Sequence, residues 1–206
     1  MPNWCNNVAT FRATKATIDK VVEGAQGDGV LQALIPVPKA LRDTTAGSYG
    51  DGLKQAALEA QEADNLAKYG YKNWYDYCVN EWGTKWDLCD VQVNRIDDET
   101  VSLSFETAWS PPIEAYEKLL CMGIAIEAFY YEPGMCFCGK WADGFDDCVE
   151  FSGYNSQTVR AAIGDEIDDM FNISEQMAEW EDENEEPEEV QVWYEDGVKK
   201  LEEKSE

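Results

Sequence analysis

The chain has 206 residues, of which 44% are hydrophobic, enough to bury a sizeable core in one domain with an insertion or a tail. It carries 16 Lys and Arg against 42 Asp and Glu, a formal net charge of −26, so it repels phosphate and is not expected to bind nucleic acid directly. Histidine is absent, which excludes Ser-His-Asp and Cys-His catalysis and imidazole metal ligation.

The charge is unevenly placed. Residues 1–142 hold 12 basic and 20 acidic side chains (−8), whereas residues 143–206 hold 4 and 22 (−18). No run approaches the roughly 18 apolar residues of a membrane span. The opening MPNWCNN has neither a basic nor an apolar region, so a cytoplasmic protein without membrane contact is expected. Seven irregularly spaced cysteines read as free thiols of a reducing compartment. Cys136-Phe-Cys138 lacks CxxC spacing, and neither a metal nor a cofactor is expected.

In chain order, residues 7–13 read as a strand and 16–25 as a short helix. Residues 30–41 contain LIPVP, whose prolines suggest an extended or edge segment. Residues 43–52 form a loop by composition, and 53–69 a helix with Gly70 just past its end. A further helix starts after Asn73, a good N-cap, and stops at Gly83. Cys89, Val91 and Val93, then Val101, Leu103 and Phe105, alternate with polar residues across Asp97-Asp98-Glu99, which predicts a hairpin with one buried face. Ser110-Pro111-Pro112 opens a helix with Ser110 as N-cap and Ile113, Tyr116, Leu119 and Leu120 on its apolar face.

Residues 124–131 return as a strand. Residues 135–151 read as a hairpin about Asp143-Gly144, a favoured two-residue turn that sets Ala142 opposite Phe145 and Cys138 opposite Val149. Cys136, Cys138, Phe145, Val149 and Phe151 then share an apolar face. Residues 157–171 form an amphipathic helix, and residues 174–189 contain nine acids and no base. A last hairpin is placed about Asp196-Gly197.

The body thus reads β-α-β-β-α-β, an α+β, ferredoxin-like antiparallel sheet over residues 1–152, with a helical insertion at about 30–83 and an extra hairpin. Residues 153–206 read as an acidic helical extension, a helix over 157–171 and then an acidic tail. Truncation after Ile173 is expected to leave the fold intact, because the predicted sheet lies upstream.

MPNWCNN, NWYDYCVNEWGTKWD, FETAWSPP and YYEPGMCFCGKW, in that order, resemble the YubB ferredoxin-like proteins of phages and plasmids over roughly residues 1–150. The resemblance implies a ferredoxin-like fold and an origin in a phage or other mobile element, and it assigns no reaction. The acidic extension past residue 155 falls outside it.

Two binding surfaces follow, and no catalytic residues. The first is acidic: Asp165, Glu166, Asp168 and Asp169, with Glu181, Asp182, Glu183, Glu185 and Glu186, form a polyanionic surface that imitates the charge of DNA. Its expected partner is a basic host protein such as a nucleic-acid-binding defence enzyme, inhibited or modulated without chemistry. The alternative is an aromatic-walled pocket for a small molecule or nucleotide at one end of the sheet, made by Trp82, Lys85, Trp86, Asp87, Trp109 and Glu132. The same tryptophans serve equally as corner packing, and nothing in the chain specifies an oligomeric state.

Overall fold

The computed structural model describes residues 2–184 and the backbone of two strands, 191–195 and 198–202. Its centre is β1 (Trp4–Arg12), which pairs antiparallel with β3 (Thr100–Ala108) on one side and β4 (Ala125–Glu132) on the other. β2 (Cys89–Arg95) lies outside β3. Beyond β4 come β5 (Phe137–Ala142) and β6 (Phe145–Glu150), giving the order β2-β3-β1-β4-β5-β6. The first four strands with α1 (Lys15–Gln26) and α6 (Ile113–Cys121) are the ferredoxin-like β-α-β-β-α-β unit. The protein is α+β, with this six-stranded antiparallel sheet at its centre.

Antiparallel partners point to the same face, so the register assigns every side chain. Ala9, Leu103, Ala128 and Trp141 form one row, and Phe11, Val101 and Ile126 the next. On this face lie Ile18 and Val21 of α1 and Ala115, Tyr116 and Leu119 of α6, all buried in one core. Both helices therefore cover the same face, as the strand order requires.

The other face is covered only over β4 and β5. Phe129, Tyr131 and Cys138 meet Val159, Ile163, Ile167 and Ile173 from α7 (Ser156–Ile163), α8 (Asp165–Phe171) and α9 (Ile173–Asn184) in a second buried core. The Tyr131 ring lies 5.8 Å from Phe171 and 6.0 Å from Phe151. The helical part of the acidic region is thus a second layer on the sheet.

Several local features depart from the sequence reading. Residues 30–41 are not an extended strand: α2 (Val30–Leu34) and α3 (Lys39–Arg42) flank a short Pro-Val-Pro link. The cause is remote, since the Asp87 carboxylate accepts the amides of Leu31 at 3.0 Å and Gln32 at 2.7 Å and so caps α2. Gly29 has φ +120°, and a Cβ there would collide with that carboxylate. Ser110 does not cap α6; its hydroxyl donates to the Gly83 carbonyl at 3.1 Å, and Pro112 stands at the N-cap.

The single helix expected over 157–171 is broken at Gly164, whose φ of +86° no helix accommodates, and Asn155 caps α7 through its side chain. The segment from Ile173 to Asn184 is itself helical. Phe145 is 71% exposed on the outer strand rather than part of an apolar face.

Elsewhere expectation and structure agree. α4 (Leu53–Tyr69) ends at Gly70 in the left-handed conformation, and Asn73 caps α5 (Trp74–Glu81) by accepting from Tyr75 and Asp76. The β5–β6 hairpin has Ala142 opposite Phe145 and Cys138 opposite Val149. Strands β7 (Gln191–Glu195) and β8 (Val198–Glu202) pair with each other, while Asp196-Gly197 lies outside the described residues. Among the described residues no helix is long and apolar enough to cross a membrane.

Because Met177 packs on the second core and Glu181 of α9 bonds Ser156 of α7, truncation after Ile173 is now expected to weaken the domain. The truncated chain should melt below the full chain. Ile173→Ala alone should cost about 2–5 kcal/mol in chemical denaturation, the range for a large-to-small change in a packed core. A truncated chain melting with the full one would show that α9 adds nothing to the fold.

Candidate functional site

Four segments distant in sequence meet at one end of the sheet. The Trp109 amide donates to the Asn3 carbonyl at 2.9 Å, which ties the end of β3 to the start of β1. Trp86 lies between Trp4 and Trp109, with ring centroids 6.2 Å and 6.5 Å away and only 22° between the planes of Trp86 and Trp109. The Lys85 ammonium sits 4.4 Å from the Trp86 centroid, 5.7 Å from that of Trp109 and 6.0 Å from that of Tyr75, all within cation–π range. Trp86 is 37% and Trp109 47% exposed, so this stack is a surface feature. Trp109 has φ +70°, a conformation costing a bulky residue on the order of 1–3 kcal/mol, and such strain concentrates at binding sites.

Of the six residues predicted for a pocket, the corner gathers Lys85, Trp86 and Trp109; the other three hold the frame. Trp82 is buried, and its indole N–H donates to the Ile35 carbonyl at 3.0 Å. Asp87 caps α2 as described and also accepts the Leu88 amide at 2.8 Å. Burial pushes its carboxyl upward against the opposing pull of those amides. Glu132 is 1% exposed and accepts the amides of Gly134 and Met135, which closes the turn after β4.

Trp74, Tyr75 and Arg42 are not among the predicted pocket residues, and Trp4 comes from the opening MPNWCNN segment. Two clefts, of 280 Å³ and 630 Å³, share Trp74, Lys85 and Trp86, and the smaller also takes in Arg42, Asp28 and Gln32. Trp74 and Tyr75 sit in the first turn of α5, and Arg42 ends α3, between the segment expected to be extended (30–41) and the expected loop (43–52).

The predicted acidic surface divides in two. Arg160 binds three of its carboxylates: Asp165 at 2.7 Å, Asp168 at 2.9 Å and Asp169 at 2.8 Å. Asp168 is buried and also accepts the amide and hydroxyl of Ser174, each at 2.7 Å, so it joins α7, α8 and the start of α9. Burial alone would raise its pKa, but Ser174 and Arg160 outweigh that and hold it below the ordinary value. Glu166 pairs with Lys140 at 3.1 Å. Glu181 accepts the amide and hydroxyl of Ser156 at 2.9 and 2.6 Å, fixing α9 to the start of α7.

Asp168, buried, and Glu181, half-buried, therefore tie the covering helices together. Asp182 and Glu183 are exposed, while Glu185 and Glu186 lie outside the described residues. Glu175 and Glu179 of the acidic region are exposed on α9, and Asp143, Asp146, Asp147 and Glu150 around β6 are exposed acids outside the predicted surface. Burial pushes the thiols of Cys5, Cys78 and Cys138 up to about 12, so none is a thiolate nucleophile at neutral pH. Among the described residues no group of three His, Cys, Asp or Glu side chains is placed to hold a metal ion.

The strand order and the two helical layers define a ferredoxin-like α+β domain. Residues 88–196, more than half of the chain, match the family model of the ferredoxin-like domain in Api92-like proteins, and the chain belongs to that family. The match reaches past residue 155, so the helical layer α7–α9 lies within the family's domain rather than outside it. A crystal structure of a protein Api92 from Yersinia pseudotuberculosis is similar over 75% of this chain and 99% of that one, at 10% identity and a TM-score of 0.40. No curated protein matches the chain.

Two measurements check these assignments. Trp82→Ala should cost about 3–5 kcal/mol of stability, as for a buried aromatic, and Trp86→Ala less than about 2 kcal/mol. Equal losses would make the whole corner core. Asp168, with a folded pKa below its unfolded value of 3.8, contributes stability that is present above that value and lost as pH falls through the folded one. Acid unfolding of Asp168→Asn should therefore show a weaker pH dependence below about pH 4 than the parent chain.

Proposed function

We propose that this chain is a non-enzymatic binding protein of a phage or other mobile element, allied to the YubB proteins it resembles. It docks a basic protein of the host cytoplasm, such as a nucleic-acid-binding defence enzyme, and occupies that partner's anion-binding groove. The charge on α9 carries this reading. Its 12 residues span about 18 Å at 1.5 Å per residue and hold Glu175, Glu179, Glu181, Asp182 and Glu183. That is one carboxylate per about 3.6 Å, close to the roughly 3.4 Å between phosphates along one DNA strand.

The surrounding surface supports the same reading. Glu175, Glu179, Asp182 and Glu183, with Asp143, Asp146, Asp147 and Glu150 about the β6 edge, have no cation within 4 Å among the described residues. Exposed unpaired carboxylates contribute little to a fold, whereas a field of one sign speeds encounter with a basic surface.

The test begins with capture from host lysate at low and high ionic strength, followed by kinetics with the purified partner. The triple variant Glu179→Gln, Asp182→Asn, Glu183→Gln should associate at least about tenfold more slowly, with dissociation changed much less. The partner's nucleic acid should compete with the full chain for it. A partner whose capture ignores both salt and these substitutions would contradict the reading.

A further inference from the structure

We propose that the tryptophan corner is a second, independent binding site, built for a planar aromatic ring that carries an anionic group, the chemistry of a mononucleotide. The two requirements for such a ligand occur side by side. Trp86, 37% exposed, and Trp74 line both clefts and offer indole surface to a flat ring, while Trp109 stacks on Trp86 within 22° of parallel. Lys85 and Arg42, which meet in the 280 Å³ cleft beside Trp86, supply positive charge. Among the described residues neither cation has a carboxylate within 4 Å, although most other basic groups on the sheet and its helices do.

Lys20, Lys54 and Lys72 also lack a carboxylate within 4 Å among the described residues, so Lys85 is set apart by its place in a cleft beside indole rings. Its ammonium instead lies over indole rings, a position from which it reaches a phosphate or carboxylate without breaking an ion pair. Asp28, Asp76 and Asp87 also line the two clefts. Asp87 is turned to the backbone amides of Leu31, Gln32 and Leu88 and does not compete for Lys85.

A cation could in principle take the same aromatic faces, but Lys85 already fills that position. A cationic ligand would have to expel it, whereas an aromatic anion uses it. The cleft volume suits one ring and one charged group, not a polymer.

The experiment titrates the full chain with adenosine monophosphate, adenosine, inorganic phosphate and tetramethylammonium, reading tryptophan fluorescence and melting temperature. Adenosine monophosphate should quench saturably, with adenosine at least about tenfold weaker, as loss of a charge-assisted hydrogen bond implies. Lys85→Ala should bring the monophosphate down to the affinity of adenosine and leave adenosine unchanged. Trp86→Ala should weaken both by about tenfold, the effect of losing one stacking partner. If Trp86→Ala fails to fold, Lys85→Ala still decides, since that side chain makes no buried ion pair.

No saturable response to the monophosphate, equal affinity for adenosine and its monophosphate, or indifference to Lys85→Ala would each overturn the proposal. So would tighter binding of tetramethylammonium, which would make the corner a cation cage. None of these outcomes touches the acidic face, whose test reads salt-dependent association with a protein.

Discussion

The architecture depends on one strand whose two faces are both apolar. β4 carries Ile126, Ala128 and Tyr130 toward α1 and α6, and Phe129 and Tyr131 toward the opposite side. A strand of that kind cannot border water on either face, since exposing a side chain the size of Phe costs roughly 1.5–3 kcal/mol. The ferredoxin-like unit supplies one cover. The second has to come from the chain that follows, and α7, α8 and α9 supply it despite their charge. That obligation explains why so acidic a segment is ordered at all: Val159, Ile163, Ile167 and Ile173 are buried while the carboxylates between them point outward or into specific bonds.

The same obligation sorts the acids by role. Asp168 and Glu181 link the three covering helices by accepting hydrogen bonds from Ser174 and Ser156, and Arg160 gathers Asp165, Asp168 and Asp169 from a single position. The carboxylates on Arg160 are consequently compensated in part, whereas Glu181, bonded only to Ser156, keeps its charge. Uncompensated acids sit on α9 and along β6, the outer strand. An acidic, exposed outer strand also resists edge-to-edge pairing with another sheet. At the tryptophan corner, the insertion is anchored by Asp87 and Trp82, which leaves Lys85, Trp86 and Trp109 partly exposed.

Local chemistry was legible in the sequence and remote chemistry was not. The Asp143-Gly144 turn fixes the β5–β6 register by itself, and Gly70 and Asn73 mark helix ends through their own backbone and side-chain preferences. Alternation in residues 89–105 marked the β2–β3 hairpin, and the β-α-β-β-α-β succession marked the ferredoxin-like unit. By contrast, α2 owes its start to Asp87, more than fifty residues downstream, so LIPVP read as extended by its prolines alone. Gly164 sits in an otherwise continuous helical pattern, and periodicity carried the reading across it. For the sites, the corner tryptophans were found by their position at hairpin ends. Arg42 reaches the corner only through tertiary contact, and Asp168 reads as surface because its partner Ser174 lies across the helix break at Asn172.

The central claim is that the acidic helices and the sheet are one cooperative structure. Native-state hydrogen exchange of the full chain measures this directly. Amides of α7 and α9 should open with the same free energy as those of β4 and β5, because uncovering Phe129 and Tyr131 exposes both cores together. Exchange of α7–α9 through low-energy openings, while β4 stayed protected to the global limit, would contradict it.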